Sequence, residues 1–385
     1  MRPINKERGL EFLKKCIAYP HPQHDLDKVR GFIAEVVRPV IEGLPFDDIR
    51  LDGRGNLIAL KRGNPAKAPF VICTYGGSYP AENMPDPYTP KIVDGTAYGL
   101  EGSCMWGRAT TEQLASGAAM LEAISTFFED KPSLRRDLLW ITNYSGEMGN
   151  HEAVTYIFLE QKVPMGPTLL VTASNNDLCF GNLGRLDIMI TIEGVSCHSS
   201  DPSRGKNSID GLYDILGKIY RFPYLKADPD LGKATLTPTT IKTWPDALHT
   251  VPAYTRLLLD RRLLPGEDPV FAMTQMKEYL GTLSSGLNVS YEEKLNFQYP
   301  HKANPECELA LAARKACQEV LGEVRIVYKR SALDMGFFSH HGQDSVLFGP
   351  GNHAFAHSDH EMVSINDFHQ AAQVYEIILE SMLID

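Results

Sequence analysis

The 385-residue chain is expected to be α/β: a mostly parallel sheet covered by helices, interrupted by a second unit of βαββαβ order. Three observations predict this. Short apolar runs beside Gly and Pro alternate with helical periodicity through the first half, the rhythm changes near Gly184, and a strand and a closing helix of the first kind return after residue 297.

Met1 to Pro20 reads as an amphipathic helix, with Arg2, Lys6, Glu7, Arg8, Glu11, Lys14 and Lys15 spaced among apolar residues. Leu26 to Leu44 has helical spacing, while Asn56 to Leu60 and Phe70 to Thr74 are short apolar runs expected as buried strands. Thr111 to Phe128 predicts a helix, Leu138 to Thr142 a strand, Glu152 to Leu159 a helix and Leu169 to Thr172 a strand. In such alternation the loops at the carboxyl ends of the strands form the site. From Gly184 the order becomes strand (Leu186 to Glu193), helix (Ile209 to Tyr220), strands (Ala234 to Trp244, Thr255 to Arg261), helix (Val270 to Leu283) and strand (Asn288 to Leu295). That is a ferredoxin-like unit. A helix near Pro305 to Leu321, a strand at Ser345 to Phe348 and a helix from Asn366 to Met382 complete the first layer. The expected domains are therefore 1–183 with 297–385, and an inserted 184–296.

Composition narrows the function. Hydrophobic residues make up 43% and charged residues 22%, without a low-complexity tract, so disorder is excluded. A net charge of −10 with no basic stripe argues against nucleic acid as a partner. No apolar run reaches membrane-spanning length and the first twenty residues are too charged for a secretion signal, so a soluble cytoplasmic protein is expected. Seven cysteines, odd in number and irregularly spaced, point to reduced thiols.

The motifs are more specific. Asp86-Pro87-Tyr88-Thr89-Pro90 and Asp94-Gly95-Thr96-Ala97-Tyr98-Gly99 precede Ser145-Gly146-Glu147-Met148-Gly149, then His198-Ser199-Ser200-Asp201-Pro202 and Gly205-Lys206-Asn207-Ser208-Ile209. Asp260-Arg261-Arg262 and Gly349-Pro350-Gly351 follow, the latter leading to Ala356-His357-Ser358-Asp359-His360-Glu361. In this order they resemble the metallopeptidase family of acetylornithine deacetylase, succinyl-diaminopimelate desuccinylase and aminoacylase. The resemblance implies a catalytic α/β domain, an inserted lid that also dimerises, and two zinc ions sharing a bridging carboxylate.

Matched residue by residue, the resemblance implies an altered centre. Gly77 stands for the first ion's His and Ala173 for its acidic ligand; Tyr79 replaces an Asp, and Gly146 replaces the Glu that acts as general base. The second ion's Glu147 and His357 remain, and the bridging position is assigned to Cys104 in Gly99-Leu100-Glu101-Gly102-Ser103-Cys104. A mononuclear site of Cys104, Glu147 and His357 is the expectation. It would hold one divalent transition metal, zinc first and manganese or cobalt as alternatives, with a position left for water or substrate.

His198 matches the family histidine that enters a partner subunit's site and polarises the scissile carbonyl. Glu152, Tyr144, His353 and His360 are candidate helpers for the missing base. Substrate contacts are expected from Tyr79, Trp106, Arg262, Arg204, Lys206, Asn207, Gly351 and His249, the last standing for the lid asparagine. The aromatics Tyr75, Tyr79, Trp106 and Tyr144 either fill the space of the absent ion or stack on a planar substrate.

The expected function is metal-dependent hydrolysis of a C–N bond, an amide or an aryl amine, in a small carboxylate-bearing molecule, by a homodimer or higher oligomer joined through the lid. Two alternatives stand beside it: a metal-free amidase with Cys104 as nucleophile, and a non-catalytic binding or scaffold relative in which Cys104, Glu147 and His357 are packing residues.

Overall fold

In this computed structural model the described residues are 6–130, 132–146, 149–281, 283 and 286–384, with Lys6 and 293–296 described through their backbone only. Tertiary contacts divide the chain into two compact units. One comprises Met1–Gly181, Lys302–Tyr328 and Phe337–Asp385, the other Asn182–His301 and Lys329–Gly336.

The first unit opens with helix α1 (Lys6–Ile17), then α2 (Leu26–Phe32), capped by Asp25, which passes through a π-helical turn at Ile33–Val37 into α3 (Arg38–Glu42). Strands β1 (Asp48–Leu51), β2 (Leu57–Lys61) and β3 (Phe70–Tyr75) follow, then a hairpin of β4 (Lys91–Asp94) and β5 (Ser103–Trp106). After it come α4 (Ala115–Glu129), β6 (Leu138–Asn143), α5 (Glu152–Thr155), β7 (Thr168–Val171) and β8 (Leu178–Asn182).

The central sheet runs β1, β2, β6, β3, β7, Ser345–Phe348, β8 and His301–Lys302, with Ile326–Lys329 also on β8. Its four middle strands, β6 to Ser345–Phe348, are parallel, while β1 pairs antiparallel with β2, β2 with β6, and β8 with Ser345–Phe348. Residues of β6, β7 and Ser345–Phe348 are buried throughout, as strands covered on both faces must be. The helix Ile365–Leu383 is capped by the Ser364 hydroxyl and contributes Phe368, Tyr375 and Ile378 to the same core as Ala118, Leu121 and Ile124 of α4.

The second unit contains β9 (Gly184–Glu193), α6 (Ser208–Ile219), strands Leu236–Trp244 and Tyr254–Leu263, helix Pro269–Leu280 and strand Asn288–Gln298. The antiparallel sheet order is Leu236–Trp244, Tyr254–Leu263, β9, Asn288–Gln298, which is the ferredoxin-like arrangement. Ile188, Ile190 and Ile192 of β9 pack with Ile215 of α6 and Met276.

Besides Leu26 to Leu44, which the π-helical turn divides, two expected helices differ in detail. The Thr111 to Phe128 periodicity begins as a π-helical turn, Thr110–Leu114, before α4, and Glu152 to Leu159 is split between α5 and a π-helical turn at Tyr156–Glu160. Periodicity reports which face is buried but does not separate α from π winding. Among the described residues no helix is long and apolar enough to cross a membrane, and all seven cysteines are free thiols.

Candidate metal and active site

Loops leaving the carboxyl ends of β3, β6, β7 and Ser345–Phe348 gather the residues of interest, where an open α/β sheet forms its crevice. They are knitted by backbone bonds: Ser174 N donates to Gly349 O at 3.0 Å and Asn175 N to Gly351 O at 2.9 Å. Gly351 is left-handed, φ +100°, and a Cβ there would stand 2.4 Å from Thr111 O. Glycine is thus required for the close approach of this loop to the turn that carries Glu112.

Glu112 is the residue that the sequence reading missed. It sits on the π-helical turn Thr110–Leu114, reached through Ala109 in the left-handed region, φ +66°. Its backbone oxygen accepts from Ala173 N at 2.7 Å and from Thr172 Oγ1 at 2.9 Å. Its side chain is buried, with Oε1 3.0 Å from His357 Nε2 and Oε2 buried without a hydrogen-bond partner. His357 is also left-handed, φ +63°, a conformation costly for a non-glycine residue and enriched at functional sites. Its ring stacks on Tyr79 with centroids 3.9 Å apart, and the bond to Glu112 raises its pKa against the opposing effect of burial.

Behind this pair lies a buried ionic hub. Arg108 Nη1 bonds Glu361 Oε2 at 2.9 Å and Ser358 O at 3.0 Å, Nη2 bonds Ala81 O at 2.8 Å, and the guanidinium lies 5.8 Å from the Tyr79 ring centroid. Thr111 N donates to Glu361 Oε1 at 3.0 Å. One arginine and one carboxylate therefore fasten the segments bearing Tyr79, Glu112 and His357.

Burial, then the nearby Glu112 carboxylate, pushes Glu361 up from 4.5 to about 7. Between those values the folded state binds more protons than the unfolded one, so this group's contribution to stability falls as pH rises from 4.5 through 7. Chelated wild type is expected to lose on the order of 2–3 kcal/mol across that window relative to Glu361→Gln. Urea midpoints of both proteins at pH 5 and pH 8 check this; parallel shifts contradict it.

Beside Gly146 and Ala173 lies the aromatic ring of Tyr75. A Cβ at Gly146 would stand 2.5 Å from the Tyr75 ring, and the Tyr75 hydroxyl lies 3.0 Å from Thr172 Oγ1, beside Ala173. The Gln113 amide donates to Gly77 O. Gly77, Ala173 and Gly146 thus belong to a packed wall. Restoring the carboxylate alone, as Gly146→Glu, is expected to give no gain in turnover and a thermal midpoint several degrees lower, because Tyr75 must move. The double variant Tyr75→Ala, Gly146→Glu should recover most of that midpoint, and a scan of wild type and both variants checks it.

Several expected site residues lie elsewhere. Glu147 falls outside the described residues. Cys104 is on β5, fully buried with Met84, Trp106 and Met362, and its nearest hydrogen-bonding atom is Gly102 O at 3.8 Å. The β4–β5 hairpin sets its sulfur beside Gly95, and among the described residues it joins no cluster of three potential metal ligands. Burial pushes the thiol pKa up, which also counts against a nucleophilic thiolate. Trp106 is 7% exposed, its indole N–H donates to Pro85 O at 3.1 Å, and Lys91 lies over its ring, so it offers no stacking platform. The Tyr144 hydroxyl donates to Glu152 at 2.7 Å, and Arg54 lies 3.2 Å from the same carboxylate oxygen. Burial, then the Glu152 carboxylate, pushes Tyr144 up to about 12 against the opposing effect of Arg54, and neither Tyr144 nor Glu152 bonds Glu112 or His357 among the described residues. His360 stacks on Tyr98, and His353 begins the short helical turn His353–Phe355.

Within the second unit His198 is exposed, its Nδ1 accepting from Ser200 N at 3.1 Å, and its ring faces that of His249 at 6.4 Å. His249 is left-handed, φ +66°, and its carbonyl accepts from Ser199 N. Asn207 caps α6, Arg262 pairs with Asp260 at 2.7 and 3.0 Å, and Arg204 pairs with Asp201 at 3.1 Å. The first two therefore have local structural work, and Arg204 remains largely exposed.

This fold and these motifs define the class: the chain belongs to peptidase family M20/M25/M40, whose family model matches residues 79–381. Its members are metal-dependent hydrolases acting on amide bonds. The chain is 24% identical to protein YgeY of Escherichia coli K12, covering 97% of this chain and 94% of that protein. It is 23% identical to succinyl-diaminopimelate desuccinylase of Dechloromonas aromatica, covering 97% and 98%. The M20 family metallo-carboxypeptidase Sso-CP2 of Sulfolobus solfataricus shares its fold, with a TM-score of 0.78 at 17% identity over 97% of this chain and 99% of that one.

Proposed function

We propose that the protein is a hydrolase of C–N bonds in small carboxylate-bearing molecules, amides or aryl amines, that works with one divalent transition-metal ion. The observation that carries this reading is the Glu112 carboxylate, 3.0 Å from His357 Nε2 with its other oxygen buried and unpartnered. A buried carboxylate oxygen without a donor is costly unless a cation completes it. Among the described residues no three His, Cys, Asp or Glu converge on one point. We assign Glu147, by its place in the sequence, as the third donor beside Glu112 and His357; Gly77 and Ala173 supply no donor for a second ion. The O,O,N donor set suits zinc, with manganese or cobalt as alternatives.

Bound there, the ion would supply Lewis acidity toward a carbonyl oxygen and acidify water. Glu112 contributes the compensating negative charge, Tyr79 fixes the His357 ring, and Tyr75 keeps water and a second cation from the Gly77–Ala173 side. His198 is the group we assign to polarising the scissile carbonyl. We further propose a homodimer or higher oligomer through the inserted unit, in the cytoplasm, where the seven thiols stay reduced.

The test uses the full chain stripped by chelator and reloaded. One equivalent of zinc, manganese or cobalt is expected to restore turnover on a panel of N-acyl amino acids and aryl amides, with elemental analysis giving one ion per chain. Unchanged turnover without metal, or two ions per chain, overturns the reading. Gly146 in place of the base favours a second reading, a binding relative without turnover, which would bind one ion and hydrolyse nothing on the panel.

A further inference from the structure

A cavity of about 240 Å³ lies at the opposite end of the central sheet from the candidate site. Its lining includes Pro69, Asp137 and Pro164, which precede β3, β6 and β7, whereas the site residues follow those strands. One face of the sheet edge forms its floor. Asp48 is in register with Leu60, Leu60 with Leu139, and Arg50 with Ile58, so the outermost strand sets an acid and a base two residues apart beside an apolar strip.

Asp48 and Lys162 are solvent-exposed, and the cavity's other carboxylate, Asp137, accepts from Gly63 N at 2.7 Å. Asp48 and Lys162 both line the cavity, yet among the described residues neither has a hydrogen bond or ion pair through its side chain. Arg50 commits only Nη1, to Gln161 Oε1 at 2.8 Å. Lys162 is held left-handed, φ +58°, a strained conformation for a lysine. Opposite charges sharing one small cavity without touching leave room for a molecule that carries both. A simple anion would face Asp48, a simple cation would face Lys162, and an apolar molecule would strip water from both without return.

We propose that this cavity is a binding site for a free α-amino acid with an aliphatic side chain. The ammonium lies on Asp48, the carboxylate on Lys162 and Arg50, and the side chain over Ile58, Leu60 and Leu139. The volume is below the range of drug-sized sites, about 300–1,000 Å³, and suits a single amino acid.

Isothermal titration of the full chain with L-leucine, L-valine and L-methionine tests this. Saturable binding is expected, at least about tenfold weaker for N-acetyl-L-leucine, which lacks the ammonium, and for L-leucinamide, which lacks the carboxylate. Asp48→Asn and Lys162→Gln should each weaken L-leucine binding about tenfold at an unchanged thermal midpoint. Glu112→Gln should titrate as wild type, separating this site from binding at the metal centre. No saturable binding up to tens of millimolar, indifference to Asp48→Asn and Lys162→Gln, or loss of binding in Glu112→Gln each overturns the proposal.

Discussion

Replacing Arg108 by alanine is expected to lower the unfolding free energy by about 3–5 kcal/mol at pH 8 and to abolish turnover. At that pH Glu361 is ionised, and removing its partner leaves a buried carboxylate opposed only by the backbone N–H groups of Ala109 and Thr111. Both side chains are essentially inaccessible, at 0% and 1%, so solvent cannot screen the orphan. The cost should extend beyond one ion pair, because the same guanidinium also ties down Ala81 O and Ser358 O. Urea denaturation gives the free energy, and a loss below about 1 kcal/mol would show that the pair is not isolated from water. Arg108→Lys keeps the charge but not the planar fork, and should fall between the two.

Glu112→Gln is expected to have the larger effect on chemistry. It keeps the shape of the side chain but removes the charge from the atom proposed to face the cation. Metal should be lost on dialysis and turnover should drop roughly 10³-fold or more, since a bound metal supplies several kcal/mol of transition-state stabilisation. Cys104→Ala should retain metal and turnover within about twofold, its cost confined to about 1 kcal/mol of packing in the Met84, Trp106 and Met362 cluster. Elemental analysis beside initial rates separates the two variants. The reverse pattern, with Cys104→Ala losing metal and Glu112→Gln keeping it, would return the site to the sulfur.

Strong periodicity made the layers legible. Fully apolar runs such as Leu138 to Thr142 and Ser345 to Phe348 became the buried strands β6 and Ser345–Phe348, and the change of rhythm at Gly184 marked the ferredoxin-like insertion. The hairpin between Lys91 and Trp106 was less legible. Gly99 and Gly102 turn the chain there at φ +78° and +72°, and the residues following the glycine-rich frame form an antiparallel strand. The carboxylate we propose as a ligand comes eight residues after Cys104, at Glu112, just before the apolar run of α4. One signal was available: Glu112 is the first acid after Gly107-Arg108 and immediately precedes a long helical pattern, where a loop emerging from the sheet presents its side chain to the crevice. Contacts such as Tyr75 against Gly146 depend on tertiary packing between separate strands and have no local pattern to announce them.

Strand β8 and the segment that resumes the first unit are neighbours: Ala303 N donates to Phe180 O at 2.7 Å, although more than a hundred residues separate them in the chain. Exit and re-entry of the first unit's chain are thus joined by a backbone hydrogen bond. The ferredoxin-like module is a graft at a turn. Its length can change between those two points without altering the sheet register beneath Glu112 and His357, provided the residues proposed to act from it, such as His198, are kept.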